Sequence, residues 1–248
     1  MTARPYQYLL IACLALALMG VFLLIAHMAT TGYTGFDLSL SEAIRSLRNS
    51  TTEIPMLMAT LLGNWLVVTL TVATMCVVLL YQRQWPLVVS VLTTMAAAGV
   101  FVSSIKPLIQ AGRPESDLYS KGVSVFSFPS GHTTFSTLLG MWLIWFTLRS
   151  VPKTWARVLI VLVLLLMISM VGLSRIYLGA HWPTDVAAGF LFSSSLLIMV
   201  TLIYSHYVLE PKLALQTLKW TALAYVITGV FYLIYKWPSA IAMYTPST

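Results

Sequence analysis

Three short polar groups interrupt an otherwise apolar chain, and their residue types suit the handling of a phosphate. The first is Lys106 with Arg113-Pro114. The second is Pro129-Ser130-Gly131-His132, and the third is Ser174-Arg175 followed by His181 and Asp185. Together they hold three permanent cations, two imidazoles and one carboxylate. Lys and Arg give charge-assisted donors to phosphate oxygens, and a guanidinium can bind two of them at once. Ser130, Gly131 and His132 stand where a helix is expected to begin, so free backbone N–H groups and a positive dipole end favour an anion there. Gly131 has no side chain to obstruct close approach of the backbone. The inventory fits a phosphate monoester or diphosphate.

The two imidazoles suggest opposite tasks. His181 lies four residues before Asp185, with Pro183 between them at a position suited to a first helical turn. The carboxylate can accept a proton from one ring nitrogen and leave the other free to attack. His132, beside the expected anion-binding helix start, is placed to protonate a leaving oxygen. The residues alone leave open which imidazole attacks. Asp185 is the only carboxylate in these motifs and no cysteine joins them, so neither a metal nor another cofactor is expected. Cys13 and Cys76 lie inside apolar runs without metal-type spacing.

The elements that must position these groups are membrane helices. The 248 residues are 59% hydrophobic and 8% charged, against roughly 25% charged in ordinary soluble domains, too little charge to coat a water-facing surface. About 20 consecutive apolar residues cross a bilayer core as a helix, and such runs recur. A first run, 8–26, is longer than a signal-peptide core and is expected to be retained. A short amphipathic stretch at 38–47 follows, with Asp37 or Ser41 as its cap. Further spans are expected at 54–81, mildly interrupted at Gly63-Asn64-Trp65, then at 85–105, 132–148, 158–178 and 184–209, with a seventh at 218–235. The expected fold is an all-α polytopic membrane bundle of six core helices plus this seventh. It forms one domain over 1–248 with its core at 54–209. Alternating spans bring all three polar groups to one end.

The net charge of +7 does not indicate nucleic acid, because the fourteen Lys and Arg sit in short connections rather than on one face. If the N-terminus is cytoplasmic, seven of them (Arg4, Arg83, Arg149, Lys153, Arg157, Lys212, Lys219) fall inside. Four (Arg45, Arg48, Lys121, Lys236) fall outside, apart from Lys106, Arg113 and Arg175. The basic turn at 149–157 carries most weight, and it puts the polar groups outside. Ionisable side chains near hydrocarbon cost about 2.5–3.5 kcal/mol even on lenient scales, so they need a function. His27 and His206 lack any partner pattern and read as interfacial. Trp182 lies between His181 and Asp185, within reach of a substrate. Glu115, Asp117, Tyr119 and Lys121 are expected in an outer loop that could shape headgroup choice.

In order, spacing and placement on spans, Lys106-x6-Arg113-Pro114, Pro129-Ser130-Gly131-His132 and Ser174-Arg175-x5-His181-x3-Asp185 resemble the three-part signature of the type-2 phosphatidic acid phosphatase superfamily. Phe128, Tyr177-Leu178-Gly179 and Gly189 match the flanks. The resemblance spans about 54–209 in architecture and is specific only in the motifs. It implies that His181 is the nucleophile, forming a phosphohistidine, with Asp185 orienting it and His132 as general acid. It implies that Lys106, Arg113 and Arg175 hold the phosphate with the backbone of Ser130 and Gly131, and that water then hydrolyses the intermediate. The expected substrate is a lipid phosphate or diphosphate, such as undecaprenyl diphosphate, phosphatidylglycerophosphate, phosphatidic acid or lipid A phosphate. The expected location is a bacterial inner membrane with the site on its periplasmic face, with membrane lipids around it and no obligate protein partner. Two other readings remain at this stage, phosphotransfer to another lipid and non-catalytic binding or transport of a lipid phosphate. The seventh span departs from the common six-span pattern.

Overall fold

The computed structural model describes residues 5–114 and 125–244. Among them lie nine helices: α1 (Pro5–Thr30), α2 (Gly35–Arg45), α3 (Ser50–Leu62), α4 (Trp65–Tyr81), α5 (Trp85–Ile109), α6 (Gly131–Ser150), α7 (Thr154–Tyr177), α8 (Pro183–Ile203) and α9 (Pro211–Tyr244). Bridging outside helices is limited, in the same residues, to one antiparallel pair, Gly112 with Phe126. Long apolar runs become helices because lipid offers no partner for backbone N–H and C=O groups. Helices α1, α5, α7, α8 and α9 are long and apolar enough to cross a membrane, and α3 with α4 makes a sixth span bent by 48°. The protein is an integral membrane protein.

The span expected at 132–148 corresponds to α6, whose 20 residues have the length but not the apolarity of the others. The reason is its place in the bundle. It packs against α8, α7 and α9, and also touches α4 and α5, so its neighbours are protein rather than lipid. It can therefore bury Thr133, Thr134, Ser136, Thr137, Thr147 and Ser150. Three of these hydroxyls donate back to the carbonyls of Ser130, Leu143 and Phe146, each at 2.8 Å. The C-terminal helix α9 runs well beyond the expected 218–235 and lies along α4, α6 and α3.

The interruption at Gly63-Asn64 is a true break rather than a mild irregularity. Asn64 caps α4 by accepting the Leu66 N–H at 3.0 Å. A Cβ on Gly63 would lie 2.5 Å from Val171 Cγ1, so the close approach of this corner to α7 requires glycine. The amphipathic helix also differs from its expected form. It begins at Gly35, and Asp37 is not its cap but sits in its first turn, accepting the Thr34 N–H at 3.3 Å. Asp37 and Ser41 are buried while Phe36, Leu38 and Leu47 are exposed, an inverted pattern suited to lipid outside and protein inside.

The helices place the polar groups at one end. The C-terminal ends of α1, α5 and α7, the starts of α6 and α8, and α2 meet there, joined by bonds such as Tyr33 to Asp185 and Asp37 to Thr184. At the opposite end Gln7 bonds Ser205, Gln82 bonds the Leu213 carbonyl and Arg149 bonds the Tyr204 carbonyl. Arg83 and Lys153 lie in the connections of that opposite end, and Arg157 and Lys212 in the first turns of α7 and α9 there. Glu115, Asp117, Tyr119 and Lys121 fall outside the described residues.

Candidate active site

His181 is positioned by the way α7 stops. Gly179 takes a left-handed conformation (φ +70), which glycine adopts without steric cost. The N–H groups of Ala180 and His181 then both return to the Arg175 carbonyl, at 3.0 and 3.1 Å. Pro183 opens α8, and Asp185 in its first turn accepts the Trp182 N–H at 2.9 Å. Asp185 therefore caps α8 and meets the imidazole in one act. Its Oδ2 lies 3.0 Å from His181 Nδ1.

Asp185 is fully buried and surrounded by donors. Tyr33 Oη donates to Oδ1 at 2.8 Å, while Ser127 Oγ and the Trp182 N–H donate to Oδ2. Ser127 Oγ also lies 3.2 Å from His181 Nδ1. The hydroxyl proton of Ser127 is committed to Asp185, so toward His181 its oxygen can only accept. Both neighbours of Nδ1 are thus acceptors, and Nδ1 carries the hydrogen. On the other side, Arg113 Nη1 lies 3.4 Å from His181 Nε2, and a guanidinium can only donate. The two sides agree on one tautomer, with the lone pair on Nε2.

Three cations from separate elements act on this imidazole, Arg113 closest to Nε2. Arg113 also donates to the carbonyls of Ala180 and Phe126. Lys106 Nζ, near the end of α5, donates to the carbonyls of Phe126 and Ser127 at 2.8 and 2.9 Å. It thereby holds the strand of chain that leads into α6. Arg175, 2% exposed, donates to Thr60 Oγ1 on α3. Burial first, and then the charges of Arg175, Arg113 and Lys106, hold the His181 imidazole well below its ordinary value of 6.5. His132 lies within the electrostatic reach of the same three cations and of His181.

The start of α6 is tied to the start of α8. The Ser130 N–H donates to the Asp185 carbonyl at 3.1 Å, and its buried hydroxyl accepts from Thr133 N–H at 3.4 Å. The Thr134 N–H returns to the Ser130 carbonyl. These bonds leave the amides of Gly131 and His132 at the mouth of the helix. A Cβ on Gly131 would meet only Val102 Cγ1, at 3.6 Å, so the protein's own packing tolerates a side chain there. Gly189 on α8 is the opposite case. A Cβ there would come within 2.9 Å of Thr134 Oγ1, 3.1 Å of its backbone nitrogen and 3.2 Å of the Ser130 carbonyl. Gly189→Ala should push the two helix starts apart and destabilise the protein by about 1–3 kcal/mol. Thermal melting checks this, and an unchanged melting temperature would contradict it.

The structure brings Lys106, Arg113, Ser130, Gly131, His132, Arg175, His181 and Asp185 to one end of the bundle, with Trp182 beside them. Trp182 donates through Nε1 to the Gly112 carbonyl at 3.0 Å, and its ring lies 4.8 Å from that of Tyr33. Sequence reasoning missed Tyr33, Ser127 and Thr60, and saw Asp37 only as a cap. Ser127 stands three residues before Ser130 and was within reach of inspection. Nothing in the pattern around Tyr33 or Thr60 marks either residue.

The family model described as PAP2 superfamily matches residues 87–209. Phosphatidylglycerophosphatase B of Escherichia coli K12 is 38% identical over 79 residues, which are 31% of this chain and 28% of that protein. Phosphatidylglycerophosphatase B of Bacillus subtilis is 37% identical over 68 residues, 27% of this chain and 34% of its own length. The aligned stretches therefore span about a third or less of these relatives. The crystal structure of a transmembrane PAP2 type phosphatidylglycerolphosphate phosphatase from Bacillus subtilis superposes with a TM-score of 0.64 at 24% identity. The superposition covers 78% of this chain and 95% of that one.

Proposed function

Through residues 87–209 this chain belongs to the PAP2 superfamily, and on that premise we propose that it hydrolyses a lipid phosphate or diphosphate by way of a phosphohistidine on His181. The observation that carries the reading is the paired constraint on His181, with Asp185 and Ser127 as acceptors at Nδ1 and Arg113 as a donor 3.4 Å from Nε2. A lone pair held toward a cluster of cations is what a phosphorus electrophile requires.

In this mechanism Arg113 and Arg175 hold the phosphoryl oxygens, with the amides of Gly131 and His132 at the α6 start and the charge of Lys106 behind them. The Nε2 lone pair of His181 attacks phosphorus. The bond to the leaving oxygen breaks, its electron pair stays on that oxygen, and His132 gives it a proton. Water then attacks the phosphohistidine, neutral His132 takes the water's proton, and the P–N bond returns its electrons to Nε2. Asp185 stays ionised and offsets the positive charge on the ring while phosphorus is attached. In these steps the named residues and the attacking water supply the proton transfers and the charge. On this reading residues 1–248 act as a single membrane domain.

The substrate class follows from placing such a site at the end of a membrane bundle. The names of the relatives make phosphatidylglycerophosphate the first lipid to try, ahead of phosphatidic acid and undecaprenyl diphosphate. Arg83, Arg149, Lys153, Arg157 and Lys212 gather at the opposite end, which supports a site facing outward, in a bacterium toward the periplasm. Detergent-purified protein should release inorganic phosphate from at least one lipid in such a panel. Release from none of them would refute the reading.

The pH dependence follows from His181, which attacks only when neutral. Its proton affinity is depressed, so it stays neutral at pH 6.5 and takes up a proton only well below that pH. The acid limb of kcat/KM, which reports the free enzyme, should therefore fall well below pH 6.5. An acid midpoint at or above 6.5 would contradict the buried, cation-flanked setting.

A further inference from the structure

Tyr33 lies in the connection between α1 and α2 and Asp37 in the first turn of α2, both outside residues 87–209, and both reach the first turn of α8. Tyr33 Oη donates to Asp185 Oδ1 at 2.8 Å. Asp37, 1% exposed, accepts from the Thr184 N–H at 3.0 Å and from Thr184 Oγ1 at 2.6 Å. The Tyr33 ring rests on the Trp182 ring at 4.8 Å. Residues 182, 184 and 185 are thus gripped by a short piece of chain that contributes no group to the phosphate cluster. We infer that this grip is a positioning device for the nucleophile, with Tyr33 as its central residue. The inference rests on the proposed role of His181.

The chemistry of the contacts says what the device does. Asp185 Oδ2 takes three donors, His181 Nδ1, Ser127 Oγ and the Trp182 N–H, whereas Oδ1 is held by Tyr33. A carboxylate fixed at one oxygen only can turn about its Cβ–Cγ bond. Tyr33 fixes the second oxygen, so the plane of the carboxylate, and with it the direction of Nδ1–H and Nε2, is set from both sides. Burial and the nearby Asp185 charge raise the phenol's proton affinity, so Tyr33 remains a donor throughout the working pH range. Asp37 anchors the turn that carries Asp185 and keeps α2 seated against it. The phosphate-holding groups Lys106, Arg113 and Arg175 lie on other elements and make their bonds to Phe126, Ser127, Ala180 and Thr60.

This division predicts a split between turnover and binding. A small misalignment of a reacting atom costs on the order of 100-fold in rate, and loss of a partner that orients a reactive imidazole on the order of 10- to 100-fold. Tyr33→Phe keeps the ring and its packing on Trp182 and removes only the hydroxyl. Purified Tyr33→Phe should lose kcat by on the order of 10- to 100-fold. Its KM, its inhibition by inorganic phosphate and its melting temperature should stay at the wild-type values. Wild-type kcat in Tyr33→Phe, while His181→Ala is inactive, would overturn this inference and leave the proposed function standing. A parallel fall in phosphate inhibition or melting temperature would also overturn it, by showing a general structural role. An inactive wild-type protein would overturn both the inference and the reading beneath it.

Discussion

His181→Ala is expected to lower phosphate release by at least about 10^4-fold, toward the rate without enzyme, because it removes the atom that attacks phosphorus. The loss should appear in kcat. Arg113, Arg175, Lys106 and the amides at the α6 start remain, so lipid phosphate should still bind. The fold should survive as well. His181 is buried, yet the turn that carries it is held by main-chain bonds to Arg175 and by Asp185 capping α8, neither of which needs the imidazole. Steady-state kinetics with a melting curve on the same sample checks all three points. Substantial turnover by folded His181→Ala would move the attacking role elsewhere.

The second large effect is expected at Asp185. Asp185→Ala removes the acceptor at Nδ1, the cap of α8 and the negative charge facing the imidazole, and kcat should fall by on the order of 10^4. Asp185→Asn separates these contributions. Ser127 and the Trp182 N–H would draw the amide oxygen into the place of Oδ2, leaving the amide nitrogen beside Tyr33, whose oxygen can accept from it. The tautomer of His181 then survives and only the charge is lost. A unit charge about 5 Å from the developing positive charge is worth about 3 kcal/mol at an effective dielectric constant of about 20. Asp185→Asn should accordingly lose about 10^2- to 10^3-fold, clearly less than Asp185→Ala. Equal losses in the two variants would show that orientation, and not charge, is the contribution of Asp185.

These two residues were legible in the sequence because an imidazole and a carboxylate four residues apart at the end of an apolar run have few uninteresting explanations. The same holds for Lys106, Arg113 and Arg175, which are costly so near a membrane. The spans were legible from their apolar runs, and α6 was placed at nearly its true bounds. Its polarity signalled something further, that protein surrounds it. Other parts could not be read locally. Tyr33 meets Asp185 across 152 positions and Asp37 meets Thr184 across 147. Thr60 meets Arg175 across 115. Such pairs exist only once the helices have packed, and an isolated Tyr or Thr at a span end looks like ordinary interfacial sequence. Asp37 was read as a cap because a local role is the only one that sequence proximity suggests. The bend at Gly63-Asn64 was read as mild because its cause is Val171 on a distant helix.

The central claim is a covalent bond between phosphorus and Nε2 of His181. The measurement that tests it most directly is rapid mixing of the purified protein with a lipid phosphate carrying a radiolabelled phosphoryl group. The reaction is then stopped in alkali and the peptides mapped. A phosphohistidine survives alkali and is lost in acid. The account predicts label with that behaviour on the peptide carrying His181, formed fast enough to precede free phosphate and absent from His181→Ala. Turnover without protein-bound label, or label on another residue, would contradict it.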